Sequence, residues 1–244
     1  MTQNGRSKIY KKRTRRASQA QGSIPVIGLA GGIGSGKSLL ASQLAQMGCA
    51  VIDVDRLAKE LRDLPQTRQA LGRSLGDQIF TEDGQIDEKA LAELVFGSVE
   101  QERSSSALAR LNAIVHPRVV DKCRELIEQY RHQEGHLAVV LDAPLLFEAH
   151  LDCCCDVIIF IQSKSAVRSQ RVRAERGWTE KQWSQREKTQ ILLDKKRDMS
   201  DYIVENNSSK TDLRCHIQRL FPRLLGKTGS VQRKAWPSEA FSER

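Results

Sequence analysis

Gly-Gly-Ile-Gly-Ser-Gly-Lys-Ser, residues 31–38, is the segment that says most about the fold of this chain. It matches the phosphate-binding loop (P-loop) pattern, in which a glycine and four further residues precede Gly-Lys-Ser or Gly-Lys-Thr. The glycines permit backbone angles that turn successive N–H groups toward phosphate oxygens. Lys37 supplies a charge for the β- and γ-phosphates, and Ser38 offers a hydroxyl to Mg²⁺. The segment predicts nucleotide binding by Gly32, Ile33, Gly34, Ser35, Gly36, Lys37 and Ser38.

The residues on either side of the loop support this interpretation. Residues 24–29 form an apolar run typical of a short buried strand. Apolar residues then recur at helical spacing at Leu39, Leu40, Leu44 and Met47. Gly48 is predicted to end this helix in the left-handed conformation. A strand, a loop and a helix in this order favour phosphate binding over a glycine-rich turn without a ligand.

Apolar strand candidates alternate with helical patterns along the rest of the chain. This alternation predicts an α/β fold with a parallel five-stranded sheet, here a P-loop NTPase core. The strands are expected at about residues 24–29, 50–53, 137–142, 157–161 and 202–204, and a last amphipathic helix at about 210–221. Between 56 and 135 the apolar spacing is helical, and Pro117 is predicted as the first residue of one of its helices.

The sequence predicts one kinase-like domain, at residues 23–226, between two tails. Its core comprises residues 23–55, 136–163 and 198–226, and residues 56–135 form an inserted helical subdomain that binds the acceptor. Residues 164–197 are predicted to be a lid, a mobile and solvated basic hairpin of helices. The basic tail at 1–22 is expected to be disordered, and the tail at 227–244 is polar.

Charge and composition limit the class of protein. The 244 residues carry a net charge of +9, and no acidic residue precedes Asp53. Such a basic surface suits nucleic acid, an acidic membrane or an anionic small substrate. No run approaches the roughly 18 apolar residues of a membrane span, and the N-terminal arm lacks the apolar core of a secretory signal, so we expect a soluble, cytoplasmic protein without a membrane partner.

The six cysteines show no paired C-x-x-C spacing. A nucleotide-binding enzyme normally works in a reducing compartment, where these thiols stay free. The run at Cys153, Cys154 and Cys155 is interpreted as small, weakly apolar residues before a strand rather than as a redox or metal site.

Three carboxylates follow strand candidates. Asp53 and Asp55 leave the second strand beside the loop, where ligands of open α/β sheets bind. One of them can accept a hydroxyl proton from an acceptor while the other caps the next helix, and the spacing leaves open which does which. Asp142 ends a later apolar strand, where a carboxylate can orient a water of the Mg²⁺ shell.

Four arginines recur at helical spacing in the lid. An arginine there can clamp the transferring phosphoryl group or stack on adenine, although most arginines of such a helix are merely solvated. The sequence alone does not select among Arg168, Arg171, Arg173 and Arg176.

The chain resembles the dephospho-coenzyme A kinase family from about residue 24 to 225. The resemblance rests on the loop, on Val-Ile-Asp-Val-Asp at 51–55, on Leu-Asn-Ala-Ile-Val-His-Pro at 111–117, on Asp-Ala-Pro-Leu-Leu-Phe-Glu at 142–148 and on Gln-Arg-Val-Arg-Ala-Glu-Arg-Gly at 170–177. It implies a P-loop kinase core, a helical CoA-binding domain and a lid. It also implies transfer of the ATP γ-phosphoryl group, with Mg²⁺, to the ribose 3′-hydroxyl of dephospho-CoA, the last step of coenzyme A synthesis.

Carried over by position, the resemblance implies a role for several residues. Asp55 corresponds to the carboxylate that activates the acceptor hydroxyl, and His116 lies in the CoA domain, where it contacts the acceptor or serves only packing. Arg171 and Arg176 match the lid arginines, with Arg171 assigned to catalysis beside Lys37 and Arg176 to ATP. Ser38 and Asp142 are the metal-binding candidates.

The sequence departs from the family pattern at three places, one of which is the basic arm at 1–22, an addition for which the family pattern implies no role. Leu39 follows Ser38 where the family usually has threonine, which removes a contact to the α-phosphate but keeps the metal hydroxyl. Asn206-Asn207-Ser208 replaces the common Asn-Asn-Gly, which affects only a turn.

Two alternative functions remain open from the residues. A nucleoside or nucleotide kinase shares the core and lid. A nucleic-acid-binding P-loop protein would use the basic arm, although the chain has few aromatic residues for base stacking. A monomer is favoured, although no sequence feature decides the assembly.

Overall fold

The computed structural model describes residues 9–11, 24–96 and 101–226. Most of both predicted tails therefore lies outside the described residues. The strands are Ile9–Lys11 (β1), Val26–Gly31 (β2), Ala50–Asp53 (β3), Val139–Asp142 (β4), Val157–Gln162 (β5) and Tyr202–Glu205 (β6). The five strands predicted from the sequence are confirmed, within two residues at each end.

The described strands form one sheet in the order β1-β6-β5-β2-β4-β3. The pairs β2–β4, β2–β5, β3–β4 and β5–β6 are parallel, so the predicted five-stranded parallel sheet is present. A sixth strand was not predicted: β1 pairs antiparallel with β6, with Tyr10 opposite Ile203. Because the strand that precedes the P-loop lies in the centre of the sheet, the loop emerges between neighbouring carboxyl ends.

Both faces of the sheet are covered by helices, which explains why its strands are continuous apolar runs. On one face Val26, Leu141 and Phe160 pack in a cluster that also contains Val119 and Cys123. On the other face, alternate strand residues pack against the helix that follows the P-loop and the helix that ends the domain. The strand residues are Ile27, Leu29, Val140 and Ile159, and the helix residues are Leu40, Leu44, Leu213 and Ile217.

The described helices divide among the core, the inserted subdomain and the lid. They are Lys37–Gln46 (α1), Val54–Arg62 (α2), Pro65–Leu75 (α3), Glu88–Phe96 (α4), Gln101–His132 (α5), Ser165–Arg176 (α6), Glu180–Lys188 (α7), Leu193–Asp198 (α8) and Lys210–Gly226 (α9). As predicted, Gly48 follows α1 with a positive φ of 91°. No helix within the described ranges combines the length and the apolar character needed to cross a membrane.

The prediction that Pro117 begins a helix is wrong. Pro117 lies inside α5, which runs unbroken for 32 residues. Proline removes one helical N–H and crowds the preceding turn, but it does not have to end a helix whose apolar face is buried on both sides of it. Val115, Val119 and Cys123 are all buried, and this packing holds the two halves of α5 in one helix.

The lid departs from the expected solvated hairpin. It comprises three helices, α6, α7 and α8, and it carries an apolar cluster of its own. Ile33 of the P-loop packs with Val172 and Trp183, and Trp178 packs against them. The lid is therefore fixed directly to the loop that it covers.

Candidate active site

The carboxyl ends of the parallel strands open into a cavity of about 720 Å³. In open α/β sheets, ligands bind in the crevice outside the carboxyl ends of the strands. The cavity lies at these ends. The cavity is lined by loop residues Ile33, Gly34, Gly36, Lys37, Ser38 and Leu39, by Asp53, Asp55, Asp142 and Glu175, by Arg171 and Arg176, and by Asn206, Ser208, Ser209 and Lys210. The P-loop and all three predicted carboxylates thus share one cavity.

Two glycines of the loop are required by its geometry. Gly36 begins α1 with φ at 95°, and Gly34 has φ at 78°, both in the region that disfavours residues with a Cβ. A Cβ on Gly34 would also lie 2.7 Å from the carbonyl oxygen of Arg168 in the lid. The loop is therefore compact and closely covered.

Lys37 is buried beneath the loop. Its Nζ donates to the carbonyl oxygens of Gly31 at 3.0 Å and Gly32 at 3.1 Å. Burial lowers its pKa to about 8, although Asp142 and Asp55 nearby favour the charged form. The ammonium is held at the floor of the cavity, ready to exchange loop carbonyls for phosphate oxygens.

Ser38 and Asp142 form a pair of oxygen donors at one side of the cavity. The Asp142 carboxylate is buried, and the Ser38 side chain lies beside it. Burial raises the pKa of Asp142, and the neighbouring Ser38 hydroxyl together with the charge of Lys37 partly offsets this effect. The two predicted metal-binding residues are thus brought together.

The structure separates the two carboxylates of the Asp-x-Asp sequence. Asp53 is the N-cap of α2, where its Oδ1 accepts from the backbone N–H of Arg56 at 3.0 Å. Asp55 lies in the first turn of the same helix and makes no cap bond. Desolvation raises the pKa of Asp55 to about 6, and the charges of Asp53 and Asp142 act in the same direction. Asp53 is thus engaged as a helix cap while Asp55 is not, and the role of Asp55 toward an acceptor stays a prediction.

The lid arginines have different surroundings. Arg171 is half-buried, and its guanidinium donates to the carbonyls of Ser35 at 3.4 Å and Asn206 at 3.2 Å. Arg176 is exposed to the cavity, where its charge acts on both Lys37 and Asp55. Arg171 thus supports the loop, and Arg176 lies near Lys37 and Asp55. The roles of both arginines in turnover stay predictions.

Arg168 is buried, and its contacts are structural. Its guanidinium contacts the Glu187 carboxylate, donates to the Ile33 carbonyl at 3.3 Å, and lies 5.1 Å from the centre of the Trp183 ring. Arg173, on the same helix, is exposed. The sequence pattern did not distinguish these two arginines, since their partners lie elsewhere in the chain.

We expect Arg168→Met to destabilise the fold by about 3 kcal/mol, because it leaves the Glu187 carboxylate without its buried partner. Arg173→Met removes the same charge from an exposed position of α6 and is expected to change stability by no more than about 0.5 kcal/mol. Urea unfolding of the two variants measures the difference. Equal free energies of unfolding would contradict the structural role of Arg168.

Asn206 is a site residue that the sequence analysis missed. It is buried, and its Nδ2 donates to the Ser35 carbonyl at 2.8 Å while its own carbonyl accepts from the Ser163 hydroxyl at 2.7 Å. It therefore ties the end of β6 to the P-loop. The asparagine directly after a short apolar strand was the available signal, but it was interpreted as part of a turn.

Three predicted residues lie away from the cavity. His116 is half-buried near Glu148 and His150, and burial lowers its pKa, so its contact with an acceptor stays a prediction. Gly32 and Ser35 also do not line the cavity. Their backbone groups serve the loop, with the Gly32 carbonyl accepting from Lys37 and that of Ser35 from Asn206.

A buried ion pair joins the lid to the core. Lys196 is 1% exposed, and its Nζ lies 2.8 Å from Glu148 Oε1 and 3.2 Å from the Pro144 carbonyl. Glu148 Oε1 also accepts from the backbone N–H of Ile191 at 2.8 Å. The last residue of the Pro-Leu-Leu-Phe-Glu sequence thus anchors the end of the lid.

Comparisons with known proteins agree on one family. A family model described as dephospho-CoA kinase matches residues 25–212. A dephospho-CoA kinase of Thermobifida fusca is 37% identical over 200 residues, covering 81% of this chain and 95% of that protein. A dephospho-CoA kinase of Fusobacterium nucleatum is 33% identical over 197 residues, with 81% and 97% covered. A crystal structure from Thermus thermophilus, 31% identical, superposes with a TM-score of 0.67 over 83% of this chain and 98% of that one.

Proposed function

This chain belongs to the dephospho-CoA kinase family, and we propose that Asp55, Lys37 and Arg176 carry out its phosphoryl transfer. It is an ATP-dependent kinase that phosphorylates the ribose 3′-hydroxyl of dephospho-CoA, the final step of coenzyme A synthesis. The observation that carries the assignment is the position of Asp55, which faces the same cavity as the P-loop while Asp53 is engaged as a helix cap.

Asp55 binds and orients the acceptor in this proposal. Its carboxylate accepts a hydrogen bond from the 3′-hydroxyl and aims the oxygen at the γ-phosphorus. It takes the proton as the new P–O bond forms and the bond from the γ-phosphorus to the bridging oxygen breaks, which releases ADP. Desolvation raises the pKa of Asp55, and the positive charges of Lys37 and Arg176 partly offset this effect. The carboxylate therefore stays ionised at neutral pH.

The cations stabilise the charge that develops on the transferred group. Lys37 exchanges the Gly31 and Gly32 carbonyls for oxygens of the β- and γ-phosphates. Arg176 reaches the same region from the lid and neutralises the equatorial oxygens in the transition state. Arg171 acts by fixing the loop backbone through the Ser35 carbonyl.

The donor chemistry beside the loop fits Mg²⁺. Ser38 and Asp142 line the same cavity as neighbours, and both offer the oxygen ligands that this cation prefers. We propose that Ser38 would bind the ion directly and Asp142 would hold a water of its shell. When bound, Mg²⁺ would neutralise part of the phosphate charge.

The division of labour between subdomains is part of the proposal. The helices from α2 to α5, between β3 and β4, would bind the body of dephospho-CoA, and α6 to α8 would cover ATP. A monomer suffices for this arrangement, since every group invoked comes from one chain. The six free thiols suit a reducing cytoplasm, which is where we place the reaction.

An acceptor panel tests the function. ADP release from Mg²⁺-ATP is measured with dephospho-CoA or with nucleoside monophosphates as separate acceptors, and with Mg²⁺ omitted. We expect turnover that requires both dephospho-CoA and the metal ion. Comparable turnover with a nucleoside monophosphate would instead assign the chain to nucleotide kinases.

The pH dependence of kcat/KM for dephospho-CoA follows from Asp55. A base must be ionised, so activity is expected to fall below about pH 6 and to approach a tenfold loss per pH unit. This fall in activity below pH 6 should be absent from the residual activity of Asp55→Asn. Any effect that comes from titration of the substrates should persist in that variant. An unchanged acid limb in Asp55→Asn would contradict the role of Asp55 as base.

A further inference from the structure

Two arginines of the lid lie over the Trp178 ring. The Arg176 guanidinium carbon lies 5.0 Å from the ring centre, and that of Arg186 lies 4.2 Å from it. A guanidinium over an indole face is attracted by the ring quadrupole at such distances. The two cations repel each other, and burial together with Arg176 lowers the pKa of Arg186. The ring therefore stabilises an arrangement of charges that would otherwise separate.

The position of the ring is fixed relative to the phosphates. Trp178 packs against the cluster formed by Ile33 of the P-loop, Val172 and the buried Trp183. Arg176, on the cavity side, lines the space above Lys37 and Asp55. A contact between Arg176 and Trp178 thus sets the guanidinium at a defined distance from the loop.

Arg186 extends the series of contacts to the inserted subdomain. Its guanidinium carbon lies 5.1 Å from the ring centre of Phe96, the last residue of α4. Phe96 packs on the separate apolar cluster of that subdomain, which includes Leu91 and Val95. Phe96, Arg186, Trp178 and Arg176, here called the arginine–aromatic stack, therefore run from the acceptor subdomain to the cavity.

We propose that Trp178 and Arg186 are positioning residues that hold Arg176 over the transferring phosphoryl group. This inference rests on the proposed function, since it takes Arg176 as the group that meets the nucleotide phosphates. Phe96 joins the same stack from the acceptor side. Binding of dephospho-CoA against α2 to α5 and binding of ATP beneath the lid therefore favour the same position of Arg176, and each substrate increases the affinity for the other.

A double-mutant cycle tests the first part of the proposal. Trp178→Leu keeps apolar packing but removes the ring face, and it is expected to lower the affinity for a non-hydrolysable ATP analogue and kcat/KM for ATP by about 2- to 30-fold. Trp178→Phe keeps a ring face and should recover most of the loss. In an Arg176→Ala background, Trp178→Leu should cost nothing further, because it acts through Arg176.

Arg186→Gln provides a second variant at a half-buried position on the lid. It is expected to loosen Trp178. The affinity for the ATP analogue and kcat/KM for ATP should then fall by a smaller factor than in Trp178→Leu, again only when Arg176 is present. The positioning role is overturned if the losses caused by Trp178→Leu and Arg176→Ala multiply in the double variant. It is also overturned if Trp178→Leu changes neither the affinity for the ATP analogue nor kcat/KM for ATP. Calorimetric titration of the analogue needs no acceptor, so this result does not depend on whether dephospho-CoA is the substrate.

The link to the acceptor subdomain has its own measurement. The affinity for the ATP analogue is measured with and without saturating dephospho-CoA in the wild type, in Phe96→Leu and in Phe96→Tyr. We expect dephospho-CoA to tighten nucleotide binding at least about 5-fold in the wild type and Phe96→Tyr, and much less in Phe96→Leu. A ratio of one in the wild type, or an unchanged ratio in Phe96→Leu, overturns the link. Turnover of dephospho-CoA by the wild type separates this failure from failure of the proposed function.

Discussion

Asp55→Asn is expected to lower kcat about 10²- to 10⁴-fold while ATP still binds. The substitution keeps the size of the side chain and removes the carboxylate that we propose accepts the hydroxyl proton. The carboxylate takes no part in capping α2, so the helix and the P-loop beside it should stay intact. Steady-state kinetics with dephospho-CoA, together with titration of the ATP analogue, separates lost chemistry from lost binding.

Asp53→Asn is the matched control for this variant. Asparagine caps helices about as well as aspartate, so the bond to the Arg56 N–H is retained. The two residues lie two positions apart and line the same cavity. We expect Asp53→Asn to keep kcat within about tenfold of the wild type. A larger loss from Asp53→Asn than from Asp55→Asn would reverse the assignment.

Stability provides an independent check on Asp55. Its pKa is raised on folding, from an ordinary 3.8 to about 6, so its ionisation opposes folding as pH rises through this window. Since the side chain is exposed in the cavity, solvent screening limits the penalty to about 1 kcal/mol. Asp55→Asn should therefore be slightly more stable than the wild type at pH 7 and equally stable at pH 4.

Lys37→Met is expected to lower kcat/KM for ATP about 10²- to 10³-fold. Methionine fills the buried space beneath the loop but cannot neutralise the phosphate charge that builds up in the transition state. The pKa of Lys37 is lowered to about 8 by burial, so removing its charge should not weaken the fold at neutral pH. Kinetics at varied ATP, with thermal unfolding of the variant alongside, measures both effects.

Lys210→Met is the control for a cation at the same cavity. Lys210 lines the cavity from its rim and is exposed, so its charge is screened by water. We expect it to change kcat/KM for ATP by less than about tenfold. An equal loss from Lys37→Met and Lys210→Met would show that overall positive charge, not a positioned ammonium, supports turnover.

The sequence predicted the core of this fold because its signals are local. Buried parallel strands have to be apolar along their whole length, so Val26–Gly31 and Val157–Gln162 stand out from their surroundings. The P-loop is equally local, since a single run of residues supplies the glycines, the lysine and the serine. The carboxylates were found for the same reason, as they directly follow strands.

The features that were missed depend on partners distant in sequence. The ion pair of Lys196 joins residues 48 positions apart, and the bond from Asn206 Nδ2 to Ser35 spans 171 positions. The sequence therefore showed four basic positions in the lid without showing that Arg168 is buried while Arg173 is exposed. Pro117 was misassigned because the local rule for proline was outweighed by tertiary packing along α5.

The choice between Asp53 and Asp55 shows where the structure adds to the sequence. Asp53 is the last residue of β3 and Asp55 lies two residues further on, and spacing alone allowed either one to cap α2. The cap bond to Arg56 engages Asp53 and leaves Asp55 in the first turn, facing Lys37 and the end of β4. This one backbone hydrogen bond is the structural reason for proposing Asp55 rather than Asp53 as the carboxylate that meets the acceptor.

The position of the new phosphate in the product is the most direct test of the proposed reaction. Dephospho-CoA and Mg²⁺-ATP are incubated with the enzyme, and the product is analysed by ³¹P and ¹H nuclear magnetic resonance. We predict one new phosphomonoester, coupled to the proton on the ribose 3′-carbon, in step with ADP release. A phosphate at another position, or ADP release without a phosphorylated acceptor, would contradict the claim that this cavity directs the 3′-hydroxyl to the γ-phosphoryl group.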